Sequence, residues 1–269
     1  MLPQPDNDDR FDPIVDVLMT PRPITAKPSD TVAAAASVMR TCRVRHLPVV
    51  DPELVGILSL RDVIAADDER LHVGDVMTAR PETIARTAPL SLACERMLGA
   101  HRECLPVVDD ARLCGIFTAT DALRFAGAAL ADDARAQRRA PEVAQLMTPR
   151  PLVTVGETTT LTAAWRLMTA NHVRHLPVLA GDAVVGILSD RDVLAAGREA
   201  LREQTLQPPM LVSDAMSTRV STIDAARPAT EAAATLLRRR VGALPVLRGR
   251  ELVGIVTVAD FMYWILARA

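Results

Sequence analysis

The stretch from Arg45 to Asp62, RHLPVVDPELVGILSLRD, occurs again from Arg174 to Asp192 as RHLPVLAGDAVVGILSDRD. Two looser copies complete the set: ECLPVVDDARLCGIFTATD from Glu103 to Asp121, and GALPVLRGRELVGIVTVAD from Gly242 to Asp260. A recurring unit constrains the fold more than any other property of a chain, because every copy must fold alike and bury the same face.

Each unit opens on Met followed by Thr or Ser, with Arg three residues after the Met: Met19/Arg22, Met77/Arg80, Met147/Arg150 and Met216/Arg219. The prolines here predict an extended segment feeding a short strand. Apolar residues then recur at helical spacing: Val32, Ala35, Met39; Leu90, Ala93, Met97; Leu161, Ala164, Met168; and Ala229, Ala232, Leu236. That spacing is one face of a helix, and core packing explains it. Helix starts are expected at Ser29-Asp30, Thr87 to Pro89, Thr158 to Thr160 and Pro228. The L-P-V strand follows, then a short turn, then a second strand carrying Gly56, Gly115, Gly186 or Gly254. Glycine inside a strand marks close approach by a ligand or backbone, and proline there belongs at a strand start or edge. A second helix starts at S-x-x-D or T-x-x-D. The order strand, helix, strand, strand, helix gives an α+β fold.

Such a unit leaves one apolar sheet face to bury, so units pair. Repeats at about 13–66 and 72–126 form the first pair, 13–126. Repeats at about 142–200 and 210–269 form the second, 142–269. The polar run in 127–141 reads as a linker, and residues 1–12 as a disordered tail. The closer likeness of repeat 1 to repeat 3 fits a duplicated two-repeat module.

Hydrophobic residues make up 49% of the chain, enough for real cores, but aromatics only 3%. With a formal net charge of -2, the chain lacks both the basic footprint and the stacking residues of a nucleic-acid binder. No apolar run approaches the ~20 residues of a membrane span. The start, MLPQPDNDDR, lacks a signal peptide's apolar core, so a cytoplasmic location is expected. Cys42, Cys94, Cys104 and Cys114 show neither metal spacing nor a disulfide framework, and read as buried reduced thiols. His72, His101 and His172 read as surface residues. No Gly-rich phosphate loop, metal spacing or catalytic triad is present, so an enzyme is not expected.

M-T-x-R, L-P-V and G-h-h-[ST]-x-x-D, in that order four times over, resemble the CBS domain family, named after cystathionine β-synthase. The resemblance covers about residues 13 to 266. It implies two pseudo-two-fold pairs, called Bateman modules, with clefts that hold an adenosine-containing ligand. AMP, ADP or ATP is the expected ligand, ahead of S-adenosylmethionine or a cyclic dinucleotide. It also implies regulation of a partner protein that the sequence does not identify, with a homodimer as one possible assembly.

The S-x-x-D elements have two readings. They fit a helix capping signal, in which Ser or Thr and the residue three on satisfy the free backbone donors. The family instead uses the Asp for the ribose hydroxyls, a charge-assisted contact. By that resemblance the sites are Ser59/Asp62, Thr118/Asp121, Ser189/Asp192 and Thr257/Asp260. Capping alone explains Asp in all four copies less well, since Glu or Gln serves it better. Repeats 1 and 3 add Arg61 with His46 and Arg191 with His175, basic residues that in the family reach phosphates. Repeats 2 and 4 have Thr120 with Cys104 and Ala259 with Ala243 at those places. Thr25, Thr83, Thr154 and Thr222 are expected at the adenine pocket, Thr154 lying one residue later than its counterparts. The alternative is a ligand-free structural or protein-interaction module whose S-x-x-D elements serve only as caps.

Overall fold

The computed structural model describes residues 11–66, 68, 70–135, 140–196 and 208–269. Most of the expected tail, residues 1–10, lies outside the described residues, as do 136–139 of the expected linker and 197–207. The chain divides into two compact units, one running to Phe125 and including Ile265–Ala269, the other Ala126–Trp264. The division falls inside a helix that continues to Arg135, so the first part of the segment read as linker is helical.

In the first unit, a 3-10 turn (Val15–Val17) and β1 (Thr20–Pro21) lead to α1 (Val32–Cys42). The hairpin β2 (His46–Val50) and β3 (Leu54–Ser59) and the helix α2 (Leu60–Ala65) close repeat 1. Repeat 2 runs α3 (Val73–Val76), β4 (Thr78–Ala79), β5 (Ile84–Ala85), α4 (Leu90–Gly99), β6 (Cys104–Asp109), β7 (Arg112–Thr118) and α5 (Ala119–Arg135). The second unit repeats this order. Repeat 3 has α6 (Val143–Leu146), β8 (Thr148–Pro149), β9 (Val155–Gly156), α7 (Leu161–Ala170), β10 (His175–Ala180), β11 (Ala183–Ser189) and α8 (Asp190–Ala196). Repeat 4 has α9 (Val212–Ala215), β12 (Ile223–Asp224), α10 (Ala229–Arg239), β13 (Ala243–Arg248), β14 (Glu251–Thr257) and α11 (Val258–Leu266).

The apolar stripes form the cores as their spacing requires. Met39, Leu90, Met97, Leu161, Met168, Ala229 and Leu236 are all nearly inaccessible. Thr31 caps α1 through a 3.2 Å bond from the Ala34 N–H, one residue beyond the expected start, because Asp30 accepts from the Lys27 N–H instead. Thr160 caps α7 in the same way. The strand prolines follow a simple rule. Ala26 donates to the Pro48 carbonyl. The Pro48 ring nitrogen therefore faces that same side, away from β3, where the short partner segment begins only at Ala26 and no ladder bond is lost.

Within each unit the two repeats exchange their opening segments. β1 of repeat 1 pairs with β7 of repeat 2, Pro21 opposite Gly115, while β4 of repeat 2 pairs with β3 of repeat 1, Ala79 opposite Gly56. In the second unit β8 pairs with β14, Pro149 opposite Gly254, and Ser217 makes a single bridge to Ile187 of β11. The exchange explains the strand glycines. A Cβ at Gly56, Gly115, Gly186 or Gly254 would collide with the thioether of Met77, Met19, Met216 or Met147 respectively. The close approach that glycine implies is thus made by a methionine of the other repeat. At Gly254 backbone is also among the nearest atoms, the Thr148 carbonyl standing 2.8 Å from where a Cβ would be.

Cys94 and Cys104 are buried, and burial raises both thiols, Cys94 to about 12. Cys42 is exposed and Cys114 half-buried, which corrects the expectation that all four are buried. Cys42 lies on the outer face at the end of α1, and Cys114 on the outer part of β7. His72, His101 and His172 are exposed, the last two at positive φ just past α4 and α7.

Candidate functional site

Each repeat turns sharply from its second strand into its second helix, and the S/T-x-x-D tetrapeptide makes that turn. In repeat 1 the Asp62 Oδ2 accepts from the Ser59 N–H at 2.8 Å and from the Ser59 hydroxyl at 2.7 Å. The Asp62 N–H donates back to Ser59 Oγ at 3.2 Å. Repeat 3 repeats the arrangement with Ser189 and Asp192, at 2.7 Å for both bonds to Oδ2. Thr118 binds Asp121 Oδ2 through its N–H and hydroxyl at 2.9 and 2.7 Å. Thr257 binds Asp260 Oδ2 likewise at 2.6 and 2.8 Å. The capping reading is therefore correct for one oxygen of each carboxylate, a contribution of about 0.5–2 kcal/mol per cap.

The second oxygen separates the repeats. Arg124 donates to Asp121 Oδ1 at 2.6 Å, and the Thr148 hydroxyl donates to Asp260 Oδ1 at 3.2 Å. Among the described residues, no donor reaches Oδ1 of Asp62 or Asp192. Asp121 and Asp260 are buried, whereas Asp62 and Asp192 are partly exposed. Burial raises the carboxyls of Asp121, Asp192 and Asp260, opposed by the bonds from Thr118, Ser189 and Thr257.

The hairpin sets the residue before L-P-V directly opposite the capping residue. His46 faces Ser59, Cys104 faces Thr118, His175 faces Ser189 and Ala243 faces Thr257. Both histidines are partly exposed, while Cys104 and Ala243 are buried. Arg61 and Arg191 occupy the first turn beside their carboxylates, the first partly exposed and the second exposed. Repeats 1 and 3 thus gather an imidazole, a guanidinium and a carboxylate around one turn. The His175 ring also fills the space over Gly242, where a Cβ would lie 2.5 Å from its Cε1.

The threonines lie elsewhere on each repeat. Thr25, Thr83, Thr154 and Thr222 each precede the residue that pairs in parallel with the L-P-V valine: Ala26 with Val49, Ile84 with Val107, Val155 with Val178, Ile223 with Val246. Thr154 is in register with the others, its extra residue being taken up earlier in the segment. No hydrogen bond joins these threonines to the carboxylates among the described residues. The hydroxyls carried to the carboxylate-bearing strands are those following the exchanged methionines, as Thr148 shows. Their signal was present in the constant Met-Thr/Ser pair, but its destination in the other repeat was not. Among the described residues, no group of three or more His, Cys, Asp or Glu is placed to hold a metal ion. No helix among them is long and apolar enough to cross a membrane.

The family described as CBS domain matches at residues 14–69, 73–127, 143–199 and 212–267, one match per repeat. Among curated proteins, the inosine-5'-monophosphate dehydrogenase of Methanocaldococcus jannaschii is 44% identical over 104 residues, 38% of this chain and 21% of the relative. Uncharacterized protein MJ1404 of the same organism is 27% identical over 267 residues, 92% of this chain and 61% of the relative. The chain therefore spans less than two thirds of either relative. Among solved structures, protein MJ1225 of M. jannaschii superposes with a TM-score of 0.78 at 22% identity, covering 93% of this chain and 99% of that one. An uncharacterized conserved protein from Pyrococcus horikoshii superposes with a TM-score of 0.65 at 23% identity, covering 94% and 99%. Both likenesses establish the fold.

Proposed function

The chain belongs to the CBS domain family, and from that premise we propose that it is a regulatory module that binds an adenosine-containing nucleotide, AMP, ADP or ATP. The observation that carries this reading is the state of Asp62 and Asp192. Each is held in place through Oδ2 by its own capping residue, and each keeps Oδ1 clear of donors among the described residues. A carboxylate fixed in that way is preorganised to accept a hydroxyl of a ribose, and its rigidity lowers the entropy cost of doing so. Arg61 with His46, and Arg191 with His175, stand beside these carboxylates with the charge and donors that phosphate requires.

Signalling follows from strand exchange. β3, which ends at the Ser59 cap, pairs with β4 of the other repeat. A nucleotide bound at Asp62 loads the same strand that holds the two repeats together. Binding that is tighter in one packing of the repeats than in another shifts the population toward it, and a partner protein reads the shift. The role is regulatory, with no catalytic step assigned to any residue. The competing reading is a ligand-free interaction module, and repeats 2 and 4 favour it locally because their carboxylates are consumed by the chain itself.

Thermal unfolding with AMP, ADP, ATP, S-adenosylmethionine and a cyclic dinucleotide decides between them. A ligand at a hundred times its dissociation constant adds about 2.7 kcal/mol to stability. A rise in Tm with an adenine nucleotide is expected. An unchanged Tm with all five up to millimolar concentration would establish the ligand-free module.

A further inference from the structure

We infer that the chain takes up two nucleotides, at Asp62 and Asp192, and that Arg124 and Thr148 close the other two positions. This rests on the nucleotide reading above and adds the identity of the residues that decide occupancy.

The carboxylates of repeats 2 and 4 have both oxygens in use. Oδ2 of Asp121 and of Asp260 belongs to the cap, as in every repeat. Oδ1 of Asp121 belongs to Arg124, whose Nη1 lies 2.6 Å away; Oδ1 of Asp260 belongs to the Thr148 hydroxyl at 3.2 Å. Only 2% of the Asp121 side chain is exposed, against 62% of Arg124, so the guanidinium covers the carboxylate from the solvent side. A ribose hydroxyl arriving there must compete with a charge-assisted bond that the chain supplies intramolecularly, and at Asp121 must also pass the guanidinium that covers it.

Two further observations agree. Three residues after the carboxylate, where a helix brings side chains onto one face, repeats 1 and 3 have Ala65 and Ala195. Repeats 2 and 4 have Arg124 and Tyr263 there. Opposite the capping residue, repeats 2 and 4 place buried Cys104 and Ala243, which offer a phosphate no cation.

The experiment is equilibrium dialysis of labelled AMP against the full chain up to millimolar concentration. Two AMP per chain are expected. Asp62→Asn and Asp192→Asn should each remove one, by at least a ten-fold loss of affinity, and the double variant should remove both. Asp121→Asn with Asp260→Asn should leave two AMP per chain with affinities within about two-fold. Three or four AMP on the wild-type chain, or a site lost with Asp121 or Asp260, would overturn the inference while leaving the nucleotide reading standing. Absence of any AMP, ADP or ATP uptake would overturn both. Arg124→Ala tests the closure without touching the cap, which uses the other oxygen. A third, weaker AMP is expected there, and a fourth when Thr148→Val is added. A stoichiometry that stays at two in both variants would show that these residues do not close the positions.

Discussion

Asp62 and Asp192 share with Asp121 and Asp260 the same place in the tetrapeptide, although only the first two follow an arginine. All four cap a helix through Oδ2 with nearly the same bond lengths. What meets their Oδ1 atoms is set by residues outside the motif: Arg124 one turn further along the helix, and Thr148, which lies 112 residues from Asp260 in sequence. A motif therefore sets where a carboxylate stands, and its neighbours set whether it is available.

The largest effect that would sharpen this comparison is at the arginines of the open pair. Arg61→Ala or Arg191→Ala should weaken AMP by ten-fold or more, since a hydrogen bond to a charged group is worth about 1.5–3 kcal/mol. Adenosine, which lacks the phosphate, should lose little. Calorimetric titration of both ligands gives the ratio, and equal losses would remove phosphate recognition from the difference between the pairs.

A second test strikes at the closed position in repeat 4. An alanine Cβ at Gly254 would lie 2.8 Å from the Thr148 carbonyl as well as against Met147, whereas at Gly56 the three nearest atoms all belong to the flexible Met77 side chain. Gly254→Ala should destabilise the chain by about 1–3 kcal/mol in urea unfolding, and Gly56→Ala by less. Pushing β8 away from β14 should also withdraw Thr148 from Asp260. Equal costs at the two glycines would show that backbone proximity does not distinguish them.

The smallest effect concerns pH. Burial raises the folded-state pKa of Asp192 above its unfolded value. The ionised form therefore costs stability at neutral pH, and that cost disappears as pH falls through the raised pKa. Adenosine affinity at Asp192 should move the opposite way, falling over the same window as the acceptor is protonated. Titrating Asp62→Asn with adenosine from neutral pH down through the usual carboxylate range isolates the second unit. A constant affinity over that range would mean that the Asp192 charge does not hold the ligand.

Much of this was legible in the residues. The apolar stripes from Val32 to Met39 and from Leu161 to Met168 name buried helix faces, because period and burial are linked by helix geometry alone. The caps at Ser59 and Ser189 were legible because their bonds span only three residues. Arg124 was visible in principle as a partner three residues from Asp121. The strand glycines were legible as places of close approach, yet the methionine that fills each comes from the other repeat of its pair.

By itself, then, the sequence determined the unit, its four copies, its caps and the contrast between His46 with Arg61 and Cys104 with Thr120. These rest on interactions local in the chain, where spacing dictates contact. Tertiary structure alone decided that each opening segment crosses to the neighbouring sheet, that Met19 packs on Gly115 and Met147 on Gly254, and that Thr148 reaches Asp260. Those contacts form only when two repeats dock. Their geometry is set by the sheet edges left unpaired in each repeat, which no local pattern of residues encodes.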